Sequence, residues 1–127
     1  MVTLNPGDTI GVRIGFVTHV GIVTDRYFDG MPMVISNSHR AGGVAEEPLA
    51  VFQGSYPLVP VVQPRALPVG HILFLSRQKL GTRWNLLSWN CEHFVRWAYG
   101  LEPMSPQLKQ ASVVVGLVAL LVTFGKA

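Results

Sequence analysis

The sequence predicts an α+β protein: a small antiparallel sheet packed with helices, followed by a hydrophobic C-terminal segment. Three observations predict it. Two strand-like stretches flank Asp29-Gly30, a dipeptide that favours a two-residue hairpin turn. Asn90 to Gly100 carries a helix start, helical spacing of apolar residues and a stop. Ala111 to Gly125 contains no charged residue.

The chain has 127 residues, enough for one domain with a core. Apolar residues make up 49% and charged residues 13%, a surface poor in charge, and part of that excess lies in the C-terminal tail. The net charge of +3 favours an anionic surface weakly, and no Lys/Arg cluster of the nucleic-acid-binding kind is present, so no nucleic-acid partner is expected. A single cysteine forbids an internal disulfide. The start, Met1 to Asp8, enters a turn without an apolar run, so no cleavable leader is expected.

Taken in order, Pro6-Gly7-Asp8 is turn chemistry and Thr9–Ile14 reads as a first strand. Phe16–Thr24 reads as a second, with Val17, His19, Gly21 and Val23 on one face and Val20 and Ile22 on the other. Both faces are apolar, which makes this strand central and His19 conspicuous within it. A histidine there is most often a core residue with a satisfied hydrogen bond; the functional alternative is a general base. Asp29-Gly30 returns the chain as a third strand over Pro32–Asn37, which sets the Asn37–His39 end beside the His19 end. Ala41-Gly42-Gly43 breaks that strand, and Glu46–Phe52 reads as one short helical turn closed by Gly54. Tyr56–Val62 reads as a fourth strand, and Pro57 and Pro60 place it at an edge. Residues 66–80 fit either a helix, with Pro68 at its start and Gly81 at its end, or a strand over 71–75; the helix is favoured.

The only cysteine follows. Asn90 is a strong N-cap type, Glu92 suits the positive end of the helix dipole, and Gly100 supplies the stop. Cys91 is thereby placed at a helix N-terminus, which favours thiolate over thiol and makes it a candidate nucleophile, whereas most free cysteines are buried and inert. His93 lies about 200° round the helix from Cys91, too far to share a target atom. A Cys91/His93 metal pair lacks two further ligands at sensible spacing, and there is no phosphate-binding glycine loop. Neither a metal nor a cofactor is expected. The three tryptophans 84, 89 and 97 read first as core packing and second as the lining of a cleft.

Pro103 and Pro106 separate this helix from the tail. Fifteen helical residues span only about 22 Å, short of a hydrocarbon core of about 30 Å. The apolar side chains surround the tail instead of striping one face, which means burial in lipid or against protein. Lys109 and Lys126 bracket it and are able to snorkel. Residues 108–126 are therefore expected to meet a membrane, as a tilted or shallow anchor, or a protein partner.

The stretch Asn85-Leu-Leu-Ser-Trp-Asn-Cys-Glu-His-Phe-Val resembles the Asn-Cys-Glu-His-Phe signature of the lecithin:retinol acyltransferase (LRAT)-like family. That family is a circularly permuted branch of the papain-like NlpC superfamily and includes small phospholipase A/acyltransferases. Pro6-Gly7-Asp8 resembles the family's opening, and His19-Val-Gly-Ile-Val its His-x-Gly/Ala-Ile-Tyr/Val strand. His precedes Cys, as the permuted order requires, and the apolar tail resembles the C-terminal anchor of the phospholipase members. The resemblance covers nearly the whole chain.

It implies a permuted papain-like catalytic domain over residues 1–104 and a hydrophobic tail over 105–127. It makes Cys91 the nucleophile and His19 its base. The family's third polar residue, often His, directly follows a Val-Ile pair; here Val34-Ile35 is followed by Ser36-Asn37-Ser38-His39. His39 is the expected orienting residue and Asn37 the alternative. The implied activity is acyl transfer or hydrolysis through a thioester on Cys91, acting on an acyl-lipid or another ester or amide at the cytoplasmic face of a membrane. The alternatives are a cysteine peptidase or amidase and, in another class, a membrane-anchored interaction subunit that keeps the fold without turnover.

Overall fold

The structure, a computed structural model, describes residues 4–110 and 121–126. In chain order the elements are β1 (Thr9–Ile14), β2 (Val17–Phe28), β3 (Met31–Ser38), β4 (Gly43–Pro48), α1 (Leu49–Gln53), β5 (Leu58–Pro60), α2 (Val69–Gln78), α3 (Cys91–Ala98) and α4 (Pro106–Gln110). The strands form one antiparallel sheet in the order β4-β3-β2-β1-β5, so the fold is α+β.

Turn chemistry fixes the centre of this sheet. Asp29 (φ 53°) and Gly30 (φ 79°) both take the left-handed conformation that a tight two-residue hairpin demands. β2 and β3 are thereby antiparallel neighbours, with Gly21 opposite Ser36 and Ile22 opposite Ile35. β5 pairs only with β1, at the sheet edge, as its prolines require. Residues 66–80 resolve as the helix α2.

One element differs from expectation. The chain does not turn helical at Glu46; it re-enters the sheet as β4, and α1 begins only at Leu49. Glutamates favour helices over strands, but here each carboxylate is neutralised by a cation from elsewhere. Arg77 of α2 bonds Glu46 through Nε (3.1 Å) and Nη2 (3.0 Å), and Arg40 reaches Glu47 at 2.6 Å. Arg77, 31 residues from Glu46, lies outside any local window.

Directly opposed residues share a face, so β1 and β2 sort the core. Val12 lies opposite His19, and Gly11 opposite Val20. One face carries Ile10, Val12, Val17, His19 and Val23, with Phe52 of α1 packed against it. On it, a Cβ at Gly21 would stand 2.6 Å from Val34 and 2.9 Å from the Phe52 ring, which explains the glycine. The other face carries Val20, Ile22, Ile35 and Asn37, and α3 lies over it. At the far end of α3 the buried Tyr99 hydroxyl donates to the Gly7 carbonyl (2.7 Å) and meets Thr9 Oγ1 (2.5 Å).

Residues 121–124 are helical, and Phe124 is fully buried, 6.0 Å from the Trp84 ring. Among the described residues no helix is long and apolar enough to cross a membrane. Most of the apolar run, residues 111–120, lies outside the described residues.

Candidate functional site

The site is built where β2 and β3 part. Their ladder reaches Gly21↔Ser36 and is not continued to Val20, which leaves the Thr18–Val20 edge of β2 with backbone groups to satisfy. Two elements from the C-terminal half of the chain supply the partners. The Gln107 amide bonds both backbone polar groups of Thr18, accepting from its N–H (3.0 Å) and donating to its carbonyl (2.8 Å). Two residues on, the Val20 N–H donates to the sulfur of Cys91.

Cys91 is the first residue of α3, as the sequence predicts, and the helix start is heavily fixed. Asn90 Oδ1 accepts from the N–H groups of Glu92 (2.9 Å) and His93 (3.3 Å). His93 Nδ1 in turn accepts from the Asn90 N–H (3.1 Å), completing a reciprocal cap. Asn90 Nδ2 also donates to the Leu86 carbonyl (3.0 Å). Glu92 is tied down by Ser105 Oγ and by the Gln107 N–H (3.1 Å), which links α3 to α4. His93 is thus a capping residue, and Glu92 does more than complement the dipole.

The thiol does not have the acidity that its helix position predicts. Cys91 is fully buried, and burial pushes its pKa up to about 12. The Glu92 carboxylate raises it further, while hydrogen bonds from Val20, Glu92 and the cysteine's own N–H oppose the shift without overcoming it. His19 is also buried, and desolvation, aided by the charge of Arg40, brings its pKa down to about 3. At neutral pH the pair is a neutral thiol and a neutral imidazole.

The predicted residues are brought together unequally. Asn37 on β3 is fully buried and joins Cys91's helix: its Nδ2 donates to the carbonyls of Trp89 (2.7 Å) and Asn90 (3.3 Å). Its Oδ1 is buried without a partner among the described residues. His19 is one residue from the N–H that holds the cysteine sulfur, but alternation turns its side chain to the other face, where its ring lies 5.2 Å from Phe52. Among the described residues none bonds His19 Nδ1, which is buried. His39 lies beyond the end of β3, exposed, edge-on to Trp84 at 4.8 Å. Of the two candidates for the third position, Asn37 touches the site and His39 stands outside it.

Sequence reasoning missed Gln107 and Phe52. Gln107 gave no signal, because its role depends on where β3 leaves β2. Trp89 and Trp97 pack edge-on to one another (6.2 Å), under the Lys79 ammonium. Among the described residues no group of three His, Cys, Asp or Glu side chains is placed to hold a metal ion. The chain matches no family model and no curated protein.

Proposed function

We propose that the protein is a thiol acyltransferase or hydrolase of the LRAT-like, permuted papain type, acting on lipid acyl groups at a membrane. The observation that carries this reading is a buried imidazole nitrogen without a partner among the described residues, one residue from the N–H that holds a cysteine sulfur at a helix start. An unpaired buried polar atom costs on the order of 1–3 kcal/mol, and such costs are retained where a group has a chemical task. The specific Asn-Cys-Glu-His-Phe motif and the strand histidine before it give the same assignment.

In this reading the ground state is closed and its reactants are neutral. A rearrangement of the Thr18–Val20 edge that carries the His19 side chain from the Phe52 side round to Cys91 lets it accept the thiol proton as sulfur attacks the acyl carbonyl. A C–S bond forms, the ester C–O bond breaks, and the proton passes from His19 to the leaving oxygen. Water or an alcohol or amine acceptor then attacks the thioester, with His19 taking its proton, and frees the thiol. Asn37 fixes the start of the helix that carries the thiol through the Trp89 and Asn90 carbonyls, and the Cys91 N–H donates to the developing oxyanion.

A second reading, a membrane-anchored interaction subunit without turnover, is favoured by one observation: the thiol is buried and its pKa stands near 12. Incubation of purified protein with a diacyl phospholipid and with acylated peptides, followed by intact mass, separates the readings. A lipid acyl adduct on Cys91 supports the first, a peptide acyl adduct supports a peptidase or amidase, and no adduct under either condition supports the interaction subunit.

A further inference from the structure

The end of the sheet nearest the Thr18–Val20 edge has a surface of its own. β1 and β2 are joined there by Gly15 and Phe16. Gly15 takes φ 56°, open to glycine at no steric cost, and the tight turn throws Phe16 into solvent at 76% exposure. Leu121 and Val122 are exposed as well, while Phe124 from the same helical turn is buried and fixes them to the domain. Phe16, Val122 and Lys126, with Ile14 and Tyr56, line one open cleft of about 390 Å³.

Charge is sorted around this end. Arg13, bonded to Thr18 at 3.2 Å, and Lys109 are exposed, and Lys126 stands in the cleft. Of the acidic residues only Glu92 lies near this end, through Gln107. Asp8 precedes β1 at its opposite end, and Glu102 follows α3 near the same place. Asp25, Asp29, Glu46 and Glu47 belong to the other half of the sheet, and Glu92 is engaged by Ser105 and Gln107.

We propose that this end of the sheet is a membrane-docking face, in which Phe16 inserts among the acyl chains of an anionic bilayer with Leu121 and Val122 beside it. A bilayer is the occupant because Leu121 and Val122 belong to the uncharged run Ala111 to Gly125 and stand, with Phe16, among the exposed cations Arg13, Lys109 and Lys126. The described flanks of that run both meet this end, Gln107 at Thr18 and Thr123 beside Gly15. An apolar wedge ringed by Lys and Arg is the chemistry of an interface with anionic headgroups. Docking here sets Val20, and the cysteine sulfur it holds, about 13 Å along the strand from the inserted phenylalanine. The inference extends the membrane part of the proposed function and stands or falls apart from the thiol chemistry.

The test uses the full chain with Cys91→Ser, which removes the only thiol, and an environment-sensitive fluorophore on Phe16→Cys or, as control, on Phe28→Cys at the opposite hairpin. Vesicles of phosphatidylcholine with phosphatidylserine are expected to blue-shift the label at 16 and raise its emission roughly twofold or more, leaving the label at 28 unchanged. In the wild-type background, Phe16→Ser is expected to weaken vesicle co-sedimentation several-fold and Phe28→Ser to leave it unaltered. An unchanged label at 16, an equal response at 28, or no co-sedimentation of the wild-type chain overturns the proposal. None of these outcomes depends on whether Cys91 forms an adduct.

Discussion

The side-chain amide of Asn37 donates to the Trp89 carbonyl at 2.7 Å, two residues before Cys91, and so ties β3 to the start of the helix that carries the thiol. His39, two residues further along the chain, makes no such tie and is exposed. Asn37→Ala is expected to lower stability by about 1–2 kcal/mol, because it removes the two hydrogen bonds that tie β3 to the start of α3. His39→Ala is expected to cost no more than about 0.5–1 kcal/mol. Urea unfolding of the two variants measures this, and acyl-adduct formation on Cys91 should be lost with the first and kept with the second. The reverse pattern would restore His39 as the third residue.

Burial of the thiol predicts slow chemistry in the resting state. At pH 7–8 a thiol-directed reagent should modify native Cys91 at least about 100-fold more slowly than the urea-unfolded chain, since thiolate and access are both suppressed. Addition of phospholipid vesicles should speed the native reaction if lipid opens the site. Rapid labelling of the native protein without lipid would show that the cysteine is not closed.

His19 gives the closed state an acid limb. Its folded pKa of about 3 lies below the reference value of 6.5, so the unfolded chain binds the proton first as pH falls. Stability is therefore fully present above pH 6.5 and declines as pH falls from there toward about 3, in total by a few kcal/mol. The lowered pKa of His93, also caused by burial, acts in the same direction. His19→Gln should flatten most of this limb in urea midpoints measured from pH 8 to pH 4. An unchanged pH profile in that variant would place the titrating group elsewhere.

Gln107 closes the gap beside β2, and Asn90 caps the helix that carries Cys91. Gln107→Ala removes both bonds to Thr18 and should cost about 1–3 kcal/mol. Asn90→Ala removes the helix cap and the bond to Leu86, for about 2 kcal/mol. His93→Gln, able to accept from the Asn90 N–H, should be milder than His93→Leu. Chemical denaturation with matched m-values reads all four.

Local chemistry was legible in the sequence, and tertiary consequences were not. Asp29-Gly30 and Asn90 act on their own neighbours, so the β2–β3 hairpin and the start of α3 follow from a few residues. β4 was hidden because Glu46 and Glu47 depend on Arg77 and Arg40 for neutralisation. Cys91 and His19 are singled out by motif and by their oddity in apolar surroundings. Their protonation is not, because the dipole argument is local whereas desolvation depends on everything packed above the thiol. The choice between Asn37 and His39 turned on where β3 ends, and strand ends are poorly marked when Ser and Asn continue the pattern.

The central claim is that Cys91 carries an acyl group. Intact mass of the full-length protein after incubation with phospholipid vesicles, compared with Cys91→Ala and His19→Ala, tests it most directly. The account predicts one acyl adduct per chain in the wild type, mapped to Cys91, and none in either variant. An unmodified wild-type chain, or an adduct that persists in Cys91→Ala, would contradict it.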